Sequence, residues 1–272
     1  MFKLITLSDS AYFDVGKLFF QTRNVIKDAD IVLYGPDLNK EQRKILYEHD
    51  IDYKRVNKKD FQTQMQFLKF EMCLEQLDLD KEKKYDGFVL SDLDVFFVNN
   101  WKHVYDYDFD LAIVVRPDYI KRKIMRSYGC GGGFHFKHGS KGLFAYAREV
   151  ILNGGDKTIP EYDRIWKTLE SGRPAHKTHN RTTYRWWVDQ IFISSIVLRF
   201  LESKKYNVKF GLEPVFTDFR GYKIAFLSTA HYNVLDSKPI IKEEKGIYIR
   251  HLKHSGRQKM LGSKNVVVQE KL

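Results

Sequence analysis

Short apolar runs separated by helix-patterned segments fill the first half of the chain, and this alternation restricts it to an α/β sheet. Phe2 to Leu7 reads as a strand that ends in the polar turn Ser8-Asp9-Ser10. Asp30 to Gly35 is a second strand, stopped by Gly35-Pro36, and Ile51 to Val56 is a third. Between them the pattern predicts a helix across Val15 to Ile26 and another that starts at an Asn39 N-cap and runs to His49. A longer helix is predicted from Gln62 to Leu79, with Leu68, Phe70, Met72 and Leu77 on a broad apolar face. Cys73 lies inside it as core filler. Lys69 stands out, because its charge sits between Leu68 and Phe70 midway along the helix.

The next strand, Gly87 to Leu90, runs straight into Ser91-Asp92-Leu93-Asp94, and a further apolar run, Val95 to Val98, follows. In open α/β sheets ligands sit beyond the carboxyl ends of the strands. An Asp-X-Asp placed there sends two carboxylates into the crevice, close enough to share one hard divalent cation. A diphosphate would complete the shell, and the ion would act as a Lewis acid toward a leaving nucleotide diphosphate. The bland alternative is a turn that merely caps a strand. Leu93, Val95, Phe96 and Phe97 weigh against it, since two anions packed near a core repel and are costly to desolvate without a countercharge. A haloacid-dehalogenase-like phosphatase also uses Asp-X-Asp, but it wants a small residue and a hydroxyl residue next, where this chain has Val95 and Phe96.

Leu111 to Val115 is another strand, and the rest is less regular. Gly129-Cys130-Gly131-Gly132-Gly133-Phe134 reads as a glycine-rich turn, followed by an alternating strand in which His135 and His138 are structural. Lys141 to Leu152 reads as a helix, residues 153 to 185 as a polar basic stretch, and Trp187 to Leu201 as a helix. Late strands are predicted at Ile224 to Leu227 and Gly246 to Ile249. Trp186 and Trp187 cannot both face the core of one helix, so one of them lines the cleft. The basic, aromatic loop from Arg173 to Arg185 is the expected acceptor region. Lys121-Arg122-Lys123 and Arg126 form either a flap over a diphosphate, a face toward an anionic acceptor, or a solvated helix face. With no repeat, linker or composition break, one domain is expected.

The net charge of +11 invites a nucleic-acid reading. The basic residues are dispersed, however, with no zinc-finger, helix-turn-helix or RNP signature, so no nucleic-acid partner is expected. Anionic small ligands or peripheral contact with an anionic membrane surface account for the charge instead. No stretch approaches the roughly 20 apolar residues needed to span a bilayer. The N-terminal run reaches Asp9 too early for a signal peptide, and the two cysteines cannot make a disulfide framework, so a cytoplasmic location is expected.

These residues together resemble the GT-A-type nucleotide-sugar glycosyltransferases, closest to the glycogenin-like and lipopolysaccharide galactosyltransferase-like family. The resemblance rests on scattered short motifs along most of the chain. It implies one Rossmann-like GT-A domain over 1–272, with a mostly parallel mixed sheet flanked by helices. Residues 1–115 would form the nucleotide-sugar half, and 116–260 the acceptor half with a metal-completing tail. It also implies a Mn²⁺ or Mg²⁺ ion, a donor in which UDP is favoured and GDP possible, and a glycan, glycolipid or glycoprotein acceptor. The anomeric configuration would be retained.

Carried over by motif, Ser8, Asp9, Lys69 and Ser91 hold the nucleotide part, and Asp92 and Asp94 hold the metal. Gly132 and Gly133 lie near the donor sugar and acceptor with Trp187. Asp189 and Gln190 orient the sugar, Asp189 nearest the reacting carbon, where it would serve as base in an inverting enzyme. A strand ending in Tyr232-Asn233 is a further match. The closing motif is matched by the run from Ile249 to Lys259, in which His251 completes the metal site and Gly256, Arg257 and Lys259 support the diphosphate. The chain departs from the family in its His-to-Gly spacing and in having Met260-Leu261 after the Lys. His254 therefore competes with His251, which is preferred because it follows a predicted strand. The rival readings are a nucleotidyltransferase on a similar sheet and a basic nucleic-acid-binding module.

Overall fold

Three consecutive parallel pairings build one half of the sheet. In the computed structural model β1 (Phe2–Leu7) lies between β2 (Ala29–Gly35) and β4 (Gly87–Ser91), with Ile5 opposite Val32 and Leu90, and β3 (Ile51–Arg55) pairs outside β2. The structure describes residues 1–13, 26–97, 99, 101–152, 159–171, 188–232, 234–236 and 249–252. The helix predicted across Val15 to Ile26 falls almost wholly outside that set. So do the 173–185 loop, Trp187, Asn233, His254, Gly256, Arg257 and Lys259.

The connections follow from local chemistry. Helix α1 (Lys40–Glu48) starts where predicted, because the Asn39 side chain accepts from the Gln42 amide while Gln42 reaches back to the Asn39 amide. Helix α2 spans Lys58–Leu79 and begins earlier than expected. Its N-cap is Asn57, whose Oδ1 accepts from Lys59 N and Asp60 N, a signal hidden by the charged residues that follow. After β4, the short β5 (Val95–Phe97) leads to a 3₁₀ turn, then β6 (Leu111–Val115) and the five-residue helix α3 (Pro117–Lys121).

The glycine-rich run is not a turn. It opens β7 (Gly129–Phe136), which lies antiparallel between β4 and β6, with Ser91 opposite Gly133 and Ile113 opposite Phe134. Gly133 pairs with β4 and Gly129 with β6, across an irregularity in the β6–β7 register, and these pairings anchor the run in the strand although glycine has no intrinsic strand preference. Helix α4 (Lys141–Leu152) agrees with expectation. The stretch expected to be irregular contains a helix, α5 (Pro160–Ser171), whose Tyr162 and Ile165 are fully buried at helical spacing. Helix α6 (Val188–Ser203) follows, then the hairpin β8 (Val215–Phe219) and β9 (Tyr222–Ser228), of which only β9 was predicted. Tyr232 closes a short helix, α7 (Thr229–Tyr232), rather than a strand, and its hydroxyl lies 2.7 Å from His103 Nε2. The last strands are β10 (Val234–Asp236) and β11 (Ile249–Leu252), the latter starting where the predicted strand was to end.

The result is an eight-stranded mixed sheet, order β3-β2-β1-β4-β7-β6-β9-β8, beside a small β10-β11-β5 sheet. Four of the seven pairings in the large sheet are parallel. Because side chains alternate across a strand, each face has its own core. One face meets α2, α4, α5 and α6 through Ile5, Leu90, Ile113 and Phe134 against Phe70, Phe144, Tyr162 and Phe192. The other packs Leu4, Ile31 and Val89 on Leu46, Leu93, Val95 and Trp101. Ser8 and Asp9 follow the carboxyl end of β1, and Asp92 and Asp94 follow that of β4.

Candidate active site

The backbone turns out of β4 at Asp92, whose carbonyl accepts from Val95 N at 3.3 Å, so Asp92 and Asp94 follow the strand within one tight turn. Asp94 is buried, while the Asp92 side chain keeps 29% of its surface exposed. Ser91 is buried beside them, its hydroxyl donating to Asp92 O at 3.1 Å.

Lys69 answers this negative charge from α2. Its Nζ lies 3.0 Å from Asp92 Oδ1 and 3.3 Å from Asp189 Oδ2, so one buried ammonium bridges two carboxylates from different elements. Burial alone would discharge the ammonium, but the Asp92 and Asp189 charges overcome it and hold its pKa above the ordinary lysine value. Asp189 is also buried, in the first turn of α6, and its Oδ1 accepts from Gln190 N at 2.7 Å. Burial, with the nearby Asp92 charge, pushes its carboxyl up to about 6, against the pull of Lys69. The Gln190 Oε1 is buried and has no hydrogen-bond partner among the described residues.

One glycine explains how α6 reaches this position. A Cβ on Gly129 would stand 2.4 Å from Ile193 Cγ2, and Gly129 N donates to Ser194 Oγ at 3.1 Å, so α6 packs directly on the start of β7. Gly133 has no such need, because a Cβ there would meet Leu90 O at an ordinary 3.6 Å. The Gly133 backbone lies opposite Ser91 in the β4–β7 ladder.

At the end of β1, Ser8 is buried and its hydroxyl donates to Asp9 O at 2.9 Å. Asp9 Oδ1 accepts from Tyr12 N at 2.7 Å, which anchors the next turn. Asp37, which sequence reasoning missed, closes this corner. Its Oδ1 accepts from Ser10 N at 3.0 Å, and its carboxyl is held below the usual range by that bond and by Lys58. Gly35 permits the close approach, since a Cβ would sit 2.3 Å from Ser8 O.

His251, the expected third metal ligand, lies on β11. In the antiparallel β11–β5 pairing His251 is opposite Val95, the residue after Asp94. The side chain of His251 lies outside the described residues, and among those described no three His, Cys, Asp or Glu side chains cluster to hold an ion. Asp92 and Asp94 nevertheless offer hard carboxylate oxygens of the kind that suit a divalent cation. His135 and His138 belong elsewhere. His135 is buried beside Trp101 and Tyr105, where burial and then His103 lower its imidazole to about 3, and His138 pairs with Asp80 at 3.0 Å.

No family model matches the sequence, and no curated protein does. Solved structures match almost the whole chain at low identity. The galactosyltransferase LgtC, in complex with donor and acceptor sugar analogs, is 11% identical, covering 92% of this chain and 86% of that one, with a TM-score of 0.46. An active-site mutant of LgtC is 10% identical over the same shares, with a TM-score of 0.47. The bifunctional glycosyltransferase WbbM is 10% identical, with a TM-score of 0.50. That match covers 92% of this chain but only 45% of WbbM, so this chain spans under half of the larger protein. The WbbM likeness gives the fold, which is the GT-A-type α/β architecture implied by the motifs. Function must be argued from the site itself.

Proposed function

We propose that this chain is a metal-dependent glycosyltransferase, moving a sugar from a nucleoside diphosphate donor to a hydroxyl of a glycan or glycoconjugate. The observation that carries the reading is the Lys69 bridge between Asp92 and Asp189. It joins the Asp-X-Asp turn to the Asp-Gln pair at the carboxyl end of the sheet, although the two are far apart in sequence. An ion pair that serves stability alone has little reason to gather buried carboxylates in excess of their cation.

On this reading Asp92 and Asp94 hold Mn²⁺ or Mg²⁺, with His251 brought alongside by β11. The ion would supply Lewis-acid stabilisation of the leaving diphosphate. Ser8, Asp9 and Ser91 line the nucleotide side, and Gly256, Arg257 and Lys259 of the tail support the diphosphate. Lys69 fixes the direction of both the Asp92 and the Asp189 carboxyl. Asp189, ionised above a pH of about 6, presents negative charge to the positive charge that develops at the anomeric carbon. Gln190, with its buried Oε1, orients the sugar by accepting a hydroxyl hydrogen bond. Gly132, Gly133 and Trp187 border the sugar and the acceptor. The family resemblance favours UDP over GDP and retention of configuration.

No helix among the described residues is long and apolar enough to cross a membrane. A cytoplasmic enzyme meeting its acceptor at an anionic membrane surface fits the basic composition, and the family resemblance favours a donor half, 1–115, and an acceptor half, 116–260. The test is divalent-dependent turnover of UDP- and GDP-sugars by the wild type and by Asp94→Ala. The reading requires turnover that chelation stops and that Asp94→Ala abolishes; undiminished turnover in the variant rejects it.

A further inference from the structure

Arg116 leaves the end of β6 with its amide donating to Tyr128 O at 2.8 Å, so its backbone is tied to the β6–β7 connection. Its guanidinium is partly buried and has weak company. Nη2 donates to Cys130 Sγ at 3.2 Å, Cζ lies 5.2 Å from the centre of the Tyr119 ring, and the buried Nε has no hydrogen-bond partner among the described residues. No described carboxylate makes an ion pair with it. Arg122 approaches the same Tyr119 ring at 5.9 Å, adding a second cation.

Taking a guanidinium out of water without an anion is costly, and a thiol is a weak acceptor. Lys69, buried nearby, meets two carboxylates, and Arg164 is paired with Glu202 at 2.7 Å. Arg116 differs from both. Burial opposes its charge, while Cys130, Tyr119 and Asp92 favour it, which places the guanidinium within the field of the Asp-X-Asp turn. On the glycosyltransferase reading, Asp92 and Asp94 serve the divalent cation and Asp189 is paired with Lys69. The charge of Arg116 is then left for a ligand.

We infer that Arg116 binds an anionic oxygen group of the substrates, a phosphate or a carboxylate, at the carboxyl end of β6. Its planar fork suits either group. The inference rests on the proposed function, and the anion has two possible sources: the donor diphosphate, or an acidic group on the sugar or acceptor.

Calorimetry on the wild type, Arg116→Met and Arg116→Lys separates the sources. One arm titrates UDP with Mn²⁺; the other titrates glucuronate against glucose in the presence of UDP and Mn²⁺. Arg116→Met should melt at or above the wild-type temperature, because it removes a poorly paired charge. It should also lose about tenfold or more in affinity in one arm, with Arg116→Lys in between. A loss in the UDP arm assigns the diphosphate, and a loss confined to glucuronate assigns the acidic sugar or acceptor. Unchanged affinity in both arms, or a lowered melting temperature with normal binding, overturns the inference. A wild type that binds no UDP with Mn²⁺ sinks the glycosyltransferase reading and this inference with it.

Discussion

The ammonium of Lys69 lies 3.3 Å from Oδ2 of Asp189, 120 residues further along the chain, and both side chains are buried. Breaking such a pair from one side leaves an uncompensated charge in a low-dielectric site. Lys69→Met should therefore destabilise the protein by about 3–5 kcal/mol, measured by denaturant unfolding. Adding Asp189→Asn to it should restore part of that loss, since the orphaned carboxylate is gone. A double variant as unstable as the sum of its parts would show that the two residues are not coupled.

Asp189 also gives a pH signature. Burial pushes its folded-state carboxyl up to about 6, from an ordinary 3.8, so the folded protein holds this proton more tightly than the unfolded chain. The carboxyl therefore costs stability as pH rises through the window from about 4 to 6, roughly 3 kcal/mol in all. Relative to Asp189→Asn, the wild type should lose stability across that window and then level off. Turnover should move the opposite way, rising with a midpoint near 6 as the carboxylate forms. A residual Asp189→Asn activity with the same midpoint would assign the titration to another group.

The packing of α6 on β7 can be tested without touching a charged residue. Gly129→Ala places a methyl 2.4 Å from Ile193 Cγ2, which should push the helix outward and lower stability by about 1–3 kcal/mol. Turnover should fall as well, because Asp189 sits one turn earlier on the same helix. Ile193→Ala in the Gly129→Ala background removes the clash and should recover both. A Gly129→Ala protein of wild-type stability and activity would mean that α6 does not rest on this contact.

The sequence foretold the alternating first half because each strand there is a short apolar run bounded by polar turns, as Phe2 to Leu7 is. Its failures have physical causes. Gly129 to Gly133 carry turn residues, yet pairing of Gly133 with β4 and of Gly129 with β6 overrides local preference. Tyr162 and Ile165 mark α5, but the charged residues around them obscured the period. Lys69 was recognisable as a misplaced charge and Asp92 as half of a carboxylate pair. That one bonds the other, and that Asp189 joins them, depends on the helix–sheet packing and could not be read from spacing. Arg116 gave no signal, since a single arginine after a strand is commonplace.

The two histidines of the closing segment differ in what the sheet does with them. His251 stands opposite Val95 in the β5–β11 ladder, next to Asp94, while His254 lies beyond the described strand. His251→Ala should weaken Mn²⁺ binding, read by calorimetry, by about 10–100-fold, and His254→Ala should change it little. The reverse pattern would move the third ligand to His254.

The most direct measurement of the central claim is thermal unfolding of the wild type and Asp94→Ala with UDP- and GDP-sugars, with and without Mn²⁺. The melting temperature of the wild type should rise only when nucleotide sugar and ion are both present, and that of Asp94→Ala should not rise at all. An equal rise without the ion, or in the variant, would contradict a metal–diphosphate site at Asp92 and Asp94.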